Sequence, residues 1–167
     1  MYIGKWYTAI DPNADPQIMQ DARDIRMAVF VQEQSCPVEE EMDSWDEYAL
    51  HAVIYADSTP QQLGAPVATA RLYYDEGHWR VGRVACLQKW RGHGYGDAVT
   101  RMLLWRAWEM GAPDVHIHAQ IQAQGFYEKI GFQPFGDLFE EAGIPHVSMV
   151  ITPHTTTTAC QRIREAE

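Results

Sequence analysis

The sequence predicts a single α+β domain built on a mixed, mostly antiparallel sheet of six to seven strands flanked by about four helices. Three observations support this prediction. Strand-like and helix-like segments alternate irregularly, a short Glu76-Gly77 turn joins two neighbouring strand patterns, and 46% of the 167 residues are hydrophobic. A chain of this length and composition can bury an ordinary core within one domain.

The individual elements follow from the spacing of the apolar residues. Alternation and short apolar runs predict strands at 2–10, 50–57, 66–75, 78–87, 114–120, 132–137 and 146–151. Helical spacing predicts helices over about 15–34, 97–110 and 122–130. Asp97 and Arg101 form an i, i+4 pair on the second helix. Gly111 and Gly131 fit the ends of the last two helices.

Charge and cysteine content argue against several classes of protein. The formal net charge of −10 disfavours a nucleic-acid binder or a protein of anionic membrane surfaces, and it is compatible with an amine as partner. The three cysteines, Cys36, Cys86 and Cys160, lack CxxC spacing, so we expect no disulfide framework and a reducing cytoplasmic location. We also expect neither a secretory signal nor a membrane-spanning helix.

A glycine-rich segment, RGHGYG at residues 91–96, stands between a predicted strand and a predicted helix. Glycines let a backbone approach a ligand, and the unpaired N–H groups of a helix start attract phosphate. The segment lacks the Lys-Ser/Thr of a Walker loop, and Asp97 spoils a dinucleotide fingerprint. On these residues alone, a phosphate cradle and a simple turn are alternative interpretations.

Two further motifs occur in the chain together with the glycine-rich segment. RGHGYG matches the pattern [Q/R]xxGx[G/A], FYEKIGF follows at 126–132, and VFVQEQ occurs at 29–34. With these motifs the chain resembles the GNAT superfamily of acyl-CoA-dependent N-acetyltransferases, and within it the ElaA-like branch. The resemblance implies a GNAT domain over 1–151. The polar residues 152–167 form a tail that we expect to pack on the domain or on a second subunit, which would make a homodimer.

The resemblance also implies acetyl-CoA as co-substrate and assigns residues to it. The backbone of Arg91, Gly92, His93, Gly94, Tyr95 and Gly96 holds the pyrophosphate, with help from the Arg91 side chain. The pantetheine arm lies along Val84, Ala85 and Cys86 like an added strand. Tyr127 is the predicted acid that protonates the departing thiolate.

The sequence leaves open which group takes the proton of the amine. Glu33 is the predicted base or an anchor for a cationic amine. Further candidates for contact with the substrate are His51, Asp43, Asp46, His118 and Gln120. His116 and His118 share one face of a strand, but we identify no third ligand and predict no metal. Arg83 either meets the substrate or pairs with a carboxylate.

The predicted function is transfer of an acetyl group from acetyl-CoA to a primary amine of a small molecule or peptide, by direct attack in a ternary complex. The alternative is a non-catalytic sensor module that binds acyl-CoA. A metal-dependent hydrolase built on the histidines lacks a ligand triad. The acidic segment 39–47 with Trp45 either gathers a cationic acceptor or is a solvated charge run.

Overall fold

The computed structural model describes residues 1–158, and a seven-stranded sheet forms its centre. The strands are β1 (Ile3–Tyr7), β2 (Leu50–Ala56), β3 (Ala65–Asp75), β4 (His78–Cys86), β5 (Val115–Gln120), β6 (Gln133–Glu141) and β7 (Ile144–Ile151). Their order across the sheet is β1-β2-β3-β4-β5-β7-β6. β4 and β5 are parallel and the other neighbouring strands are antiparallel. The predicted mixed, mostly antiparallel sheet is confirmed.

The helices are α1 (Pro16–Arg26), α2 (Val38–Glu41), α3 (Tyr95–Glu109) and α4 (Gln124–Ile130). Asp15 caps α1 by accepting a hydrogen bond from the Gln17 N–H at 2.9 Å. α1 continues directly into a π-helical segment, Met27–Glu33, so the helix predicted over 15–34 is one helical run with a wider second half. In the described part of the chain, no helix is long and apolar enough to cross a membrane.

Apolar side chains cover both faces of the sheet. α3 and α4 contribute Leu103 and Ile130 to one cluster, whereas α1 contributes Ile25 to a second cluster. Ile54 belongs to the first cluster and its neighbour Val53 to the second, because successive strand residues point to opposite faces. The sheet is therefore the middle layer of the domain. Because helices cover both of its faces, a ligand can reach it only at its edges and at the ends of its strands.

β4 and β5 separate soon after they begin. Within residues 1–158 their pairing consists of Trp79 with Val115 and Arg80 with His116. Further along, β4 stays paired with β3, with a register shift that places Arg83 and Val84 opposite Ala70. Arg83 has a φ of +52° in this bulge. The sheet thus opens into a V between β4 and β5.

The first part of the predicted tail lies on the domain. The Thr157 N–H donates to the Ile130 carbonyl at 2.8 Å, and the Thr157 hydroxyl donates to the Lys129 carbonyl at 2.6 Å. Arg101 donates to the Thr157 carbonyl from α3. The same region packs tightly on Gly131, where a Cβ atom would lie 1.9 Å from the Thr155 oxygen. The rest of the predicted packing concerns residues outside the described range.

Candidate active site

A cavity of about 800 Å³ occupies the V between β4 and β5. This volume lies within the range of small-molecule sites. Eight of the residues singled out in the sequence line it, namely Asp43, Val84, Ala85, Cys86, Arg91, His118, Gln120 and Tyr127. The fold therefore brings together side chains from β4, β5, α4 and the acidic segment, which are far apart in the chain.

The edge of β4 that faces this cavity has no neighbouring strand among the described residues beyond Arg80. Backbone N–H and C=O groups along that edge are therefore left for a ligand. One of them is already engaged, since the Cys86 carbonyl accepts a hydrogen bond from Arg91 Nε at 3.0 Å. An extended, amide-containing arm fits beside Val84 and Ala85 as an added strand would.

The glycine-rich segment forms the start of α3. Gly92 and Gly94 have φ values of +83° and +82°, in the left-handed region that favours glycine. A Cβ atom at Gly92 would meet nothing within 4 Å, so the space before the loop is open. Gly94 precedes α3 and supplies no capping side chain, which leaves the first-turn N–H groups for a ligand. This arrangement fits a diphosphate.

Asp97 does not oppose an anion at this loop. Its carboxylate accepts a hydrogen bond from Arg101 Nε at 3.0 Å, which confirms the predicted i, i+4 pair. The pair directs the carboxylate along α3 and offsets its charge. His93 is exposed, and its side chain lies against the loop, with Nδ1 3.1 Å from the Trp90 carbonyl oxygen and the ring stacked on Tyr95.

Glu33, the predicted base, lies beside the glycine-rich segment. Both of its oxygens contact Arg91 Nη2, at 3.0 and 2.9 Å. Glu33 is absent from the residues that line the cavity within the described chain, whereas Arg91 and Gln34 are among them. The Glu33 carboxylate is therefore engaged by the Arg91 guanidinium, and its role as base stays a prediction.

Tyr127 reaches the cavity from α4 and is 7% exposed. The rings of Phe126 and Phe132 pack edge-on against it, with centroid distances of 5.0 and 5.6 Å. Burial raises the pKa of Tyr127 above its ordinary value, so the hydroxyl keeps its proton at neutral pH. A restrained, protonated hydroxyl beside the cavity is suited to donate a proton to a leaving group.

The acidic segment forms a buried ion-pair network with three arginines from other elements. This network, called the arginine cluster below, consists of Arg26, Arg71, Arg83, Glu41, Asp43 and Asp46. Asp46 Oδ1 lies 2.7 Å from Arg26 Nη1 and 2.8 Å from Arg71 Nη1. The interpretation of this segment as a solvated charge run is therefore wrong for Glu41 and Asp46, which are buried.

Burial and ion pairing have opposite effects on the pKa values of the carboxylates in the arginine cluster. Burial raises the pKa of Glu41, and Arg83 and Arg26 offset this only in part. For Asp46, burial also acts upward, but hydrogen bonds and charge from Arg26 and Arg71 outweigh it and lower the pKa. The pKa of Asp43 is lowered too, as Arg71 outweighs its burial. Asp43 and Asp46 are thus held as carboxylates, Asp43 at the cavity wall and Asp46 behind it.

Two of the predicted substrate residues, His51 and Asp46, lie behind the cavity wall. His51 is fully buried, and its Nε2 lies 3.0 Å from the Asp46 backbone oxygen. Burial lowers the pKa of His51, and its contact with Asp46 compensates only partly. Contact of either residue with a substrate would require opening of the arginine cluster. Arg83 pairs with a carboxylate, which was one of its two alternatives, because its Nε lies 3.0 Å from Glu41 Oε2, and it also lines the cavity.

His118 has a partner that the sequence did not reveal. Its Nδ1 lies 3.1 Å from Glu141 Oε1, and His146 Nε2 lies 3.7 Å from Glu141 Oε2. All three side chains line the cavity. The hydrogen bond from His118 outweighs burial and lowers the pKa of Glu141. The strand predicted at 132–137 ends before Glu141, but β6 extends through it, and its register partner there is Ile144, two residues before His146.

Gln120 closes the cavity toward the π-helical segment. Its Nε2 donates to Gln34 Oε1 at 2.8 Å, and it accepts from Gln122 Nε2 at 2.6 Å. Gln34 belongs to the VFVQEQ stretch that carried the resemblance. This bridge joins the end of β5 to the end of the π-helical segment.

Comparisons with known proteins agree with this architecture. A model of the acetyltransferase (GNAT) domain matches residues 18–153. A Bacillus subtilis (strain 168) protein with a provisional acetyltransferase name is 35% identical over 136 residues, which cover 80% of this chain and 88% of that protein. The crystal structure of Escherichia coli ElaA has a TM-score of 0.75 at 25% identity and covers 90% of this chain and 99% of that one. An acyl-CoA N-acyltransferase from Pseudomonas aeruginosa gives the same values.

The open V, the glycine-led helix and these matches define the class of the protein as an acyltransferase. The chain belongs to the GNAT acetyltransferase family. The similarity to ElaA agrees with the branch that the VFVQEQ stretch predicted.

Proposed function

We propose that the protein transfers an acetyl group from acetyl-CoA to a primary amine of a small molecule or peptide by direct attack in a ternary complex. One observation carries this proposal. The open edge of β4, Arg91 at the glycine-rich loop and the protonated Tyr127 all border one cavity. A co-substrate with a diphosphate, an amide-containing arm and a thiol leaving group is complementary to all three.

In this proposal the chain holds the co-substrate at two places. The backbone N–H groups of 92–96 and the Arg91 guanidinium bind the diphosphate. Val84, Ala85 and Cys86 bind the arm through their backbone, and an N–H on this edge stabilises negative charge on the thioester oxygen. The bulge at Arg83 directs this part of β4 into the cavity.

The transfer forms a C–N bond between the amine and the acetyl carbon and breaks the C–S bond of the thioester. Tyr127 gives its proton to the departing sulfur, while a base takes a proton from the amine nitrogen. Burial raises the pKa of the Cys86 thiol, although Arg91 opposes this. A neutral thiol is a poor nucleophile, which supports direct attack over an acyl-enzyme on Cys86.

His118 is the base that the geometry favours. Glu141 lies at its Nδ1, which leaves Nε2 to accept the proton and stabilises the imidazolium that results. Glu33, by contrast, has both oxygens in contact with Arg91. We propose that Glu33 orients Arg91, and that Asp43 and Gln120 border the acceptor.

The test is release of free thiol from acetyl-CoA over a panel of primary amines, with the acetylated product identified by mass spectrometry. We expect Tyr127→Phe to lower kcat by about a hundredfold, in line with the loss of a general acid. Its affinity for coenzyme A, measured by calorimetry, should stay within about twofold because the hydroxyl does not hold the diphosphate. Tyr74→Phe is the matched control, since Tyr74 is 55% exposed on β3.

Full turnover by Tyr127→Phe would exclude the role of Tyr127. The sensor alternative makes a different prediction. A sensor would bind coenzyme A tightly and release no thiol above the uncatalysed rate with any amine in the panel.

A further inference from the structure

Two histidines and one aspartate meet at the closed end of the V. His78 begins β4, and Asp114 and His116 stand at the start of β5. His116 Nε2 lies 3.2 Å from Asp114 Oδ1, and His78 Nδ1 lies 3.7 Å from the same oxygen. The three potential ligand atoms all lie within 4.8 Å of one another. His116 and His118 alternate along β5 as predicted, but the contacts of His116 are with His78 and Asp114.

The contacts inside this group are not those of a satisfied hydrogen-bond network. His116 Nε2 is buried and has no hydrogen-bond partner among the described residues, although Asp114 Oδ1 is only 3.2 Å away. The separation is short enough for a hydrogen bond, so the direction must be unsuitable. Donor atoms that converge on one point without bonding to each other are arranged as ligands of a shared cation.

A positive charge also lies near the group. Arg80 is the register partner of His116, and its Nε lies 3.6 Å from Asp75 Oδ2, which offsets part of that charge.

We propose that His78, Asp114 and His116 form a binding site for a divalent transition metal of the zinc type. Two ligands at zinc–ligand distances of about 2.0–2.1 Å in a tetrahedral arrangement lie about 3.3 Å apart, close to the separations from Asp114. Two imidazoles and one carboxylate suit Zn²⁺, Ni²⁺ or Cu²⁺, whereas Mg²⁺ and Ca²⁺ prefer oxygen ligands. His78 is 45% exposed and can rotate toward the others, with solvent for the remaining position.

The location gives this site a structural role. His116 is the register partner of Arg80, so the group sits on the two-residue contact that joins β4 to β5. A metal held by His78 on β4 and by Asp114 and His116 at the start of β5 would link the two strands at the point where they are still paired. None of these three residues lines the cavity, so this metal takes no part in acyl transfer.

The test is binding of Zn²⁺ to untagged, metal-free protein, followed by calorimetry, with Co²⁺ absorption as a spectroscopic report on coordination. We expect one equivalent to bind the wild type and to raise its Tm. His78→Ala and His116→Ala should each weaken binding at least tenfold, and Asp114→Asn should remove most of the increase in Tm. His154→Ala is the control, since His154 is an exposed histidine outside the group.

Because His116 is partly buried, His78→Ala is the decisive variant, with circular dichroism and a cooperative thermal transition as the check that it is folded. The proposal is overturned if the wild type takes up less than about a tenth of an equivalent of Zn²⁺. It is equally overturned if folded His78→Ala binds Zn²⁺ as tightly as the wild type. Neither outcome depends on acyl transfer, so this site and the proposed function are tested separately.

Discussion

Arg91 Nη2 lies 3.0 and 2.9 Å from the two carboxylate oxygens of Glu33, so a single nitrogen donates hydrogen bonds to both oxygens. Through Nε the same guanidinium also donates to the carbonyl of Cys86 at 3.0 Å. Arg91 thereby joins the π-helical segment to the end of β4 beside the glycine-rich loop. The pair is half exposed and hence weak, so a phosphate can compete for the guanidinium.

The first prediction concerns this competition. Glu33→Gln removes an anion next to the proposed diphosphate site and frees Arg91, so we expect a KM for acetyl-CoA about two- to fivefold lower with kcat nearly unchanged. Arg91→Gln removes the charge-assisted contact and should raise that KM at least tenfold. Steady-state kinetics at two salt concentrations measure both effects, and the effects should shrink at high salt.

Arg91→Lys is the matched control, because it keeps a positive charge but loses the planar fork. Its KM should fall between those of the wild type and Arg91→Gln. A drop in kcat of a hundredfold or more in Glu33→Gln, with an unchanged KM for acetyl-CoA, would instead identify Glu33 as the base.

The second prediction concerns His118 and Glu141. If His118 takes the proton of the amine, His118→Ala should lower kcat by about a hundredfold while binding of coenzyme A is retained. Glu141→Gln keeps the shape but loses the charge that stabilises the imidazolium, and should have a smaller effect of about tenfold. Added imidazole should restore part of the activity of His118→Ala, because it can occupy the space left by the ring.

His93→Ala is a suitable comparison, since His93 contacts the Trp90 carbonyl at the glycine-rich loop and not the acceptor side. The His93→Ala variant should have a changed KM for acetyl-CoA, and added imidazole should not restore any of its activity. Retained kcat in His118→Ala, across amines of different basicity, would contradict the role of His118.

Much of the fold could be predicted because local patterns determine it. The apolar spacing of 95–109 and the β3–β4 hairpin both depend on residues close in sequence, and both segments adopt the predicted class of structure. The predicted ends of the strands and helices are less accurate than their type. β6 continues to Glu141 since its pairing with β7 extends the strand beyond the apolar residues. The helix predicted to reach residue 110 ends at Glu109, and 43% of Met110 is exposed.

The cavity was harder to predict because its walls come from distant segments. The motifs located Tyr127 and the glycine-rich loop, yet nothing in the acidic segment indicates which arginines its carboxylates meet. One signal was present for Arg26, which follows Ala22 by four residues and so lies on the apolar face of α1. A charge on such a face requires a buried partner. The pairing of Glu141 with His118 had no comparable signal, since it depends on the register of two hairpin strands.

The third prediction concerns the stability of the arginine cluster. Asp46 is bound by Arg26 and Arg71, and all three side chains are at most 8% exposed. Asp46→Asn leaves two buried guanidinium groups without their shared anion, so we expect a loss of about 3–5 kcal/mol in the free energy of unfolding at pH 7. Urea denaturation measures this free energy of unfolding. The control is Asp137→Asn on the exposed part of β6, which should change the free energy of unfolding by less than about 0.5 kcal/mol.

The effect of pH on this loss has a definite sign. The folded pKa of Asp46 is lowered because its arginine contacts outweigh burial, so its stabilisation is fully present above the unfolded pKa of about 3.9. It disappears as the pH falls through the folded value. The deficit of Asp46→Asn relative to the wild type should therefore shrink steadily below about pH 4. Glu41 has a raised pKa and acts in the opposite direction in both proteins. A deficit that stays constant from pH 7 to pH 3 would mean that Asp46 stabilises the fold by packing and not through its charge.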